Sequence, residues 1–101
     1  MYDIEQFYER NALHDYEVGQ INIDYVNGNI KMILFTRKRE KCEININNFS
    51  SISFSKNEPW GIGKYIFSSG IIENDNELKL ELQLNSSDIC AITFARFNNS
   101  Q

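Results

Sequence analysis

The stretch Leu78-Lys79-Leu80-Glu81-Leu82-Gln83-Leu84 places a leucine at every second position, with a charge or an amide between. A period of two is the pattern of a strand with one face buried and the other in water. The same period recurs on either side of Asn27-Gly28, where Ile21, Ile23 and Tyr25 precede the turn and Ile30, Met32 and Leu34 follow it. Asn-Gly tolerates the positive φ angles of a type I′ turn, so residues 18 to 36 read as a hairpin. Ile33 and Phe35 add apolar side chains to the second face, which suits a central or doubly covered strand. Ile44 and Ile46 alternate with Glu43, Asn45 and Asn47 in a third strand from about 42 to 49, and Ile52 and Phe54 extend it or begin another. Strand resumes over residues 65 to 72, turns at Glu73-Asn74-Asp75-Asn76 into the leucine ladder, and turns again at Asn85-Ser86-Ser87-Asp88 into 89 to 97.

At the other end, Ile4, Phe7, Tyr8 and Ala12 fall at helical spacing with Asp3 placed to cap, so residues 1 to 12 are expected to form a short amphipathic helix. Such a helix is marginal alone and must pack on the sheet. Leu13-His14-Asp15 follows as a connector, and residues 98 to 101 as a frayed tail. The expected fold is therefore mainly β, or α+β by strict count. Six to seven antiparallel strands over residues 18 to 97 form a curled sheet, either a β-roll or a two-layer sandwich, with one N-terminal helix. One domain of 101 residues accounts for the whole chain.

Composition excludes several classes. With 42% hydrophobic residues, 13% aromatics and a net charge of -4, the chain is a foldable globule and not a disordered tail. No apolar run reaches the about 18 residues of a membrane helix. The start, Met1-Tyr2-Asp3-Ile4-Glu5, is acidic where a secretory signal would be basic and then apolar, so a cytoplasmic location is expected, with no membrane partner. Cys42 and Cys90 are the only cysteines and fall in strand patterns, which reads as two reduced, buried thiols; whether they approach each other is not legible.

Complete catalytic motifs are not found. Gly61-Ile62-Gly63-Lys64 falls short of a phosphate loop because Glu58 and Tyr65 stand where glycine and Ser or Thr are required. One histidine and two separated cysteines do not assemble a zinc site, so no metal and no cofactor are expected. His14 beside Asp15 suggests an oriented imidazole, although neighbours in a connector rarely point the same way, and the alternative is Asp15 binding local backbone amides. Glu58-Pro59-Trp60-Gly61 offers either a lid on the core or an aromatic anchor at an interface.

The charges are segregated. Residues 1 to 24 carry Asp3, Glu5, Glu9, Asp15, Glu17 and Asp24 against Arg10, a field that attracts basic partners and repels nucleic acid. The basic turn 37 to 41 reads as a solvated loop.

Leu13-His14-Asp15, the hairpin around Asn27-Gly28, Pro59-Trp60-Gly61 and the turn from Asn85 to Asp88 together resemble landmarks of a loose group of small bacterial β-rich proteins of unknown function, some grouped with immunity proteins of toxin systems. Ser87 stands where that pattern prefers glycine, placing a side chain where positive φ is needed. The resemblance implies no catalytic residue. The expected function is a non-enzymatic protein-binding module, of the immunity type, that covers a basic toxin domain through Asp3, Glu5, Glu9, Asp15, Glu17 and Trp60. The alternatives are a small enzyme or small-molecule binder with a pocket at His14, Asp15, Trp60 and Tyr65, and a homodimeric structural protein that pairs sheet edges.

Overall fold

The computed structural model describes residues 2 to 56 and 65 to 95. The expected loop of residues 56 to 64 with Trp60, and the tail, fall largely or wholly outside the described residues. Among the described residues, eight strands form two four-stranded sheets, against the six to seven strands expected. Sheet A has the order β1 (Tyr2–Asp3), β4 (Lys41–Asn47), β3 (Asn29–Phe35), β2 (Glu17–Asp24). Sheet B has the order β5 (Phe49–Phe54), β8 (Ile89–Ala95), β7 (Glu77–Leu84), β6 (Ile66–Asn74). All pairings are antiparallel except β1 with β4, which is parallel. Among the described residues neither sheet closes into a barrel.

The leucine ladder forms β7, with Leu78, Leu80, Leu82 and Leu84 all buried. Their neighbours on β8, Cys90, Ile92 and Phe94, face the same way, as do Ile30, Met32 and Leu34 of β3 and Cys42, Ile44 and Ile46 of β4. These stripes from both sheets merge into one apolar cluster with Ile4, Leu13 and Ile66. Each aliphatic side chain so buried contributes about 1.5–3 kcal/mol relative to exposure, so these alternating stripes are the main favourable term set against the entropy of ordering the chain.

Asn48 makes the change of sheet. It lies alone between β4 and β5 with φ +58, a left-handed conformation that asparagine tolerates better than most residues. Its carbonyl accepts the Ala95 N–H at 3.0 Å, and the next amide, of Phe49, donates to the Gly28 carbonyl at 3.0 Å. Strand 42 to 49 therefore does not run on into 52 to 54: the chain crosses to the other layer.

The N-terminal helix is a correction. Residues 2 and 3 pair with Ile44 and Asn45, and Ile4–Phe7 make a single 3₁₀ turn, closed by the Asp3 N–H donating to Gln6 Oε1 at 2.9 Å. The open flank of β4 supplies hydrogen bonds that a three-turn helix would forgo, and Ile4 still reaches the core. The hairpin turn is also a correction. Residues 25 to 28 form a four-residue turn in which Gly28 alone, at φ +72, is left-handed, so it is not type I′. Asp24 selects it, accepting from the Asn27 amide nitrogen at 3.2 Å and side-chain nitrogen at 2.8 Å. The side-chain bond, then the backbone bond, holds the Asp24 carboxyl below its ordinary pKa.

The turn from Asn85 to Asp88 behaves as its sequence suggests, with Ser87 at φ +74. Glycine removes the Cβ clash at such a position. Ser87→Gly is therefore expected to stabilise the domain by about 0.5–1 kcal/mol, the relief of strain exceeding the added freedom of the unfolded chain. Urea titration checks this, and an unchanged or lower midpoint would show that Ser87 is unstrained.

Candidate functional site

The acidic residues named from the sequence do not form one patch. The register Asn29↔Asn47 at one end of β3 and β4, and Phe35↔Lys41 at the other, defines two ends of sheet A about 20 Å apart. Asp3 and Glu5 belong to the first end. Because Ile44 and Ile46 point into the core, Asn45 and Asn47 point out of the sheet, and Asp3 pairs beside Asn45. Asp3, Glu5, Asn29, Asn45, Asn47 and Asn48 line an open groove of about 410 Å³, with Phe94 and Ala95 as its apolar part. Two carboxylates accept hydrogen bonds and four carboxamides both accept and donate, a set that suits an ammonium or guanidinium group with its neighbouring backbone.

Asp15 and Glu17 lie at the opposite end, against the basic turn. Asp15 Oδ2 is 3.6 Å from Arg37 Nε, and Glu17 Oε1 is 3.9 Å from Arg39 Nη1. Exposed pairs of this kind contribute little stability, about 0–1 kcal/mol, but they offset the charge that the sequence assigns to an acidic surface. Glu9 is exposed on the connector. Tyr65 forms an isolated antiparallel bridge with Glu17, and Trp60 lies outside the described residues.

His14 and Asp15 do face each other. Nδ1 of His14 is 3.4 Å from Asp15 Oδ2, and the imidazole meets Phe67 edge-on at a centroid distance of 6.4 Å. The reason neighbours point the same way is backbone geometry: Asp15 has φ +70, and its N–H donates to the Ile66 carbonyl at 2.8 Å. That amide is used by the sheet, and Asp15 turns its carboxylate to His14 and Arg37 instead of local amides. A shallow groove of about 420 Å³ runs beside the pair, lined by His14, Tyr16, Thr36, Arg37, Lys38 and Glu40 but not by Asp15. Among the described residues, no group of three or more His, Cys, Asp or Glu side chains is placed to hold a metal ion.

Cys42 and Cys90 are free thiols on the inner faces of β4 and β8. Burial raises the pKa of Cys42 and pushes that of Cys90 up to about 12, so neither is a thiolate at neutral pH. An aromatic disulfide reagent at pH 7.5 is expected to titrate both thiols only as fast as the protein unfolds; fast labelling of either thiol in native buffer would contradict that.

Sequence reasoning missed the asparagine side of the first groove. The alternation of Asn45 and Asn47 with buried isoleucines was visible, but nothing in the chain announced that residues 3 and 5 would be laid beside them by a parallel strand. Among the described residues no helix is long and apolar enough to cross a membrane. Comparison of the chain with protein-family models, with curated proteins and with solved structures finds no match.

Proposed function

We propose that this protein is a non-enzymatic binding module that docks a basic protein partner, in the manner of a cytoplasmic immunity protein covering a toxin domain. The observation that carries the reading is the groove in which Asp3 and Glu5 meet Asn29, Asn45, Asn47 and Asn48. A lysine or arginine side chain of the partner would be held there by charge-assisted hydrogen bonds, and the net charge of -4 would speed its approach.

The test uses the wild-type protein and an Asp3→Lys/Glu5→Lys variant as baits in lysate of the source cells, with Glu81→Lys as a charge-reversal control elsewhere. A basic polypeptide enriched at least tenfold by wild type and by the control, and lost with the double variant, supports the reading. A partner that the double variant retains moves the site, and failure of the wild type to capture any polypeptide removes the proposal.

The contact of His14 with Asp15 favours one second reading, a small-molecule site in the groove beside them. Under it, His14→Ala abolishes ligand binding or turnover found by screening. Under the first reading the same variant leaves partner capture and stability nearly intact.

A further inference from the structure

The fold treats its sheet edges unequally. The free side of β6 is occupied by the connector: the Asn11 N–H donates to the Ser69 carbonyl at 2.8 Å, the Ser69 N–H to Asn11 Oδ1 at 3.1 Å, the Asp15 N–H to the Ile66 carbonyl and the Ile66 N–H to the Tyr16 carbonyl, both at 2.8 Å. β1 is only two residues long. β2, the other edge of sheet A, is handled differently. Its first residue bridges Tyr65, and the ladder then shifts register between Val18 and Gln20. At that bulge Phe35 lies so close to Gly19 that a Cβ would come within 2.7 Å of its ring. From residue 20 to residue 24 the strand is back in regular register with β3, and no described strand pairs on its other side.

Beyond the bulge at its start and the outward-pointing Asp24 at its end, this stretch carries no edge protection: it has no lysine, no proline and no inward-pointing charge. Its core-facing stripe runs out into water. Ile30 opposite is fully buried, yet Ile23 is 50% exposed, and the turn beyond exposes Tyr25 by 85% and Val26 by 89%.

We propose that this edge pairs antiparallel with the same edge of a second copy of the chain, about a two-fold axis at Asn22. In that register Ile21 faces Ile23 of the partner subunit, Gln20 faces Asp24 of the partner subunit, and Asn22 faces its own symmetry mate. Apolar residues meet apolar ones on the inner face. The only charge in the segment meets an amide that has a second N–H beyond the one given to Asn22 Oδ1. Neighbouring registers fit less well. A slip of one residue opposes inner to outer faces. An axis at Ile21 sets Asp24 against Val18 across the bulge, and an axis at Ile23 draws the pairing into the turn. Five paired residues and the turn bury less than the about 800 Å² per partner of a standard interface, so the dissociation constant is expected on the order of 10–100 µM. Asp3 lies on β1, with β4 and β3 between it and this edge, and the groove comes nearest at Asn29, which pairs with Asp24 from the side of β2 that faces away from the second copy, so the pairing stands independently of the proposed function.

Sedimentation velocity from about 5 to 500 µM is expected to show the weight-average mass rising from one chain toward two. Ile23→Lys sets a charge into the half-exposed inner position, and should weaken association at least tenfold while circular dichroism and melting stay those of the wild type. Ser51→Lys, on the edge strand of sheet B, should leave association unchanged, and exchange of the backbone amides over residues 20 to 24 should slow as concentration rises. A wild type that stays monomeric at the top concentration, an Ile23→Lys protein that dimerises as well as wild type, or loss of association in Ser51→Lys would each overturn the pairing.

Discussion

Leu13→Ala is expected to lower stability by about 3 kcal/mol, and the melting temperature by about 15 °C, although the residue lies in a connector. Leu13 is fully buried and belongs to the same apolar cluster as the strands of both sheets. Truncation removes the transfer energy of its side chain and leaves a cavity that two packed sheets do not readily close. The effect has a local signature too. The Leu13 N–H donates to Ser69 Oγ at 3.2 Å, and the bonds of Asn11 and Asp15 to β6 flank it. Loosening Leu13 should therefore accelerate hydrogen exchange at Ile66 and Ser69 before it does so in β7. Urea denaturation gives the first quantity and exchange the second. A loss under about 1 kcal/mol would mean that the connector is held by its backbone bonds alone.

Asp88→Ala is expected to cost about 2–3 kcal/mol. The side chain is only 2% exposed, and its carboxyl accepts from Ser55 Oγ at 3.2 Å and Ser86 Oγ at 2.6 Å. Ser55 Oγ in turn accepts the Ile89 N–H at 2.9 Å, so the group ties the end of β5 to the start of β8. Alanine removes a buried carboxyl that accepts from both hydroxyls, and bonds to such a group exceed an ordinary surface bond, although Ser86 is only half-buried and Ser55 is exposed. Asp88→Asn, which keeps one acceptor oxygen, should cost less. A double-mutant cycle with Ser55→Ala should give a coupling of about 1 kcal/mol; additive effects would show that the two side chains act separately.

These two residues mark where sequence reading stops. Leu13 belongs to no periodic stripe, since it is one apolar residue between a turn and a polar pair, and only the path of residues 8 to 16 across β6 makes it core. Asp88 was visible as a turn residue, but its burial depends on Ser55 arriving from 33 positions earlier. The same distinction separates the acidic residues. Asp3, Glu5, Asp15 and Glu17 look alike in the chain, and the register of sheet A sends the first two to an asparagine groove and the last two to Arg37 and Arg39. The His14–Asp15 contact depended on a positive φ that a bond to Ile66 imposes, which residue type alone does not announce.

From the chain alone came the β class, the inner faces of β3, β4, β7 and β8, the places of the turns around residues 28 and 87, and the burial of both cysteines. All of these follow from side-chain alternation or from the φ preference of single residues, and such preferences act over a few neighbouring positions. Tertiary structure decided that the first residues form a parallel strand instead of a helix, that Asn48 divides the described strands into two sheets, and that one edge is covered while residues 20 to 24 of β2 stay bare. Those outcomes turn on hydrogen bonds and apolar contacts between segments tens of residues apart, whose energies compete only once the chain has come together.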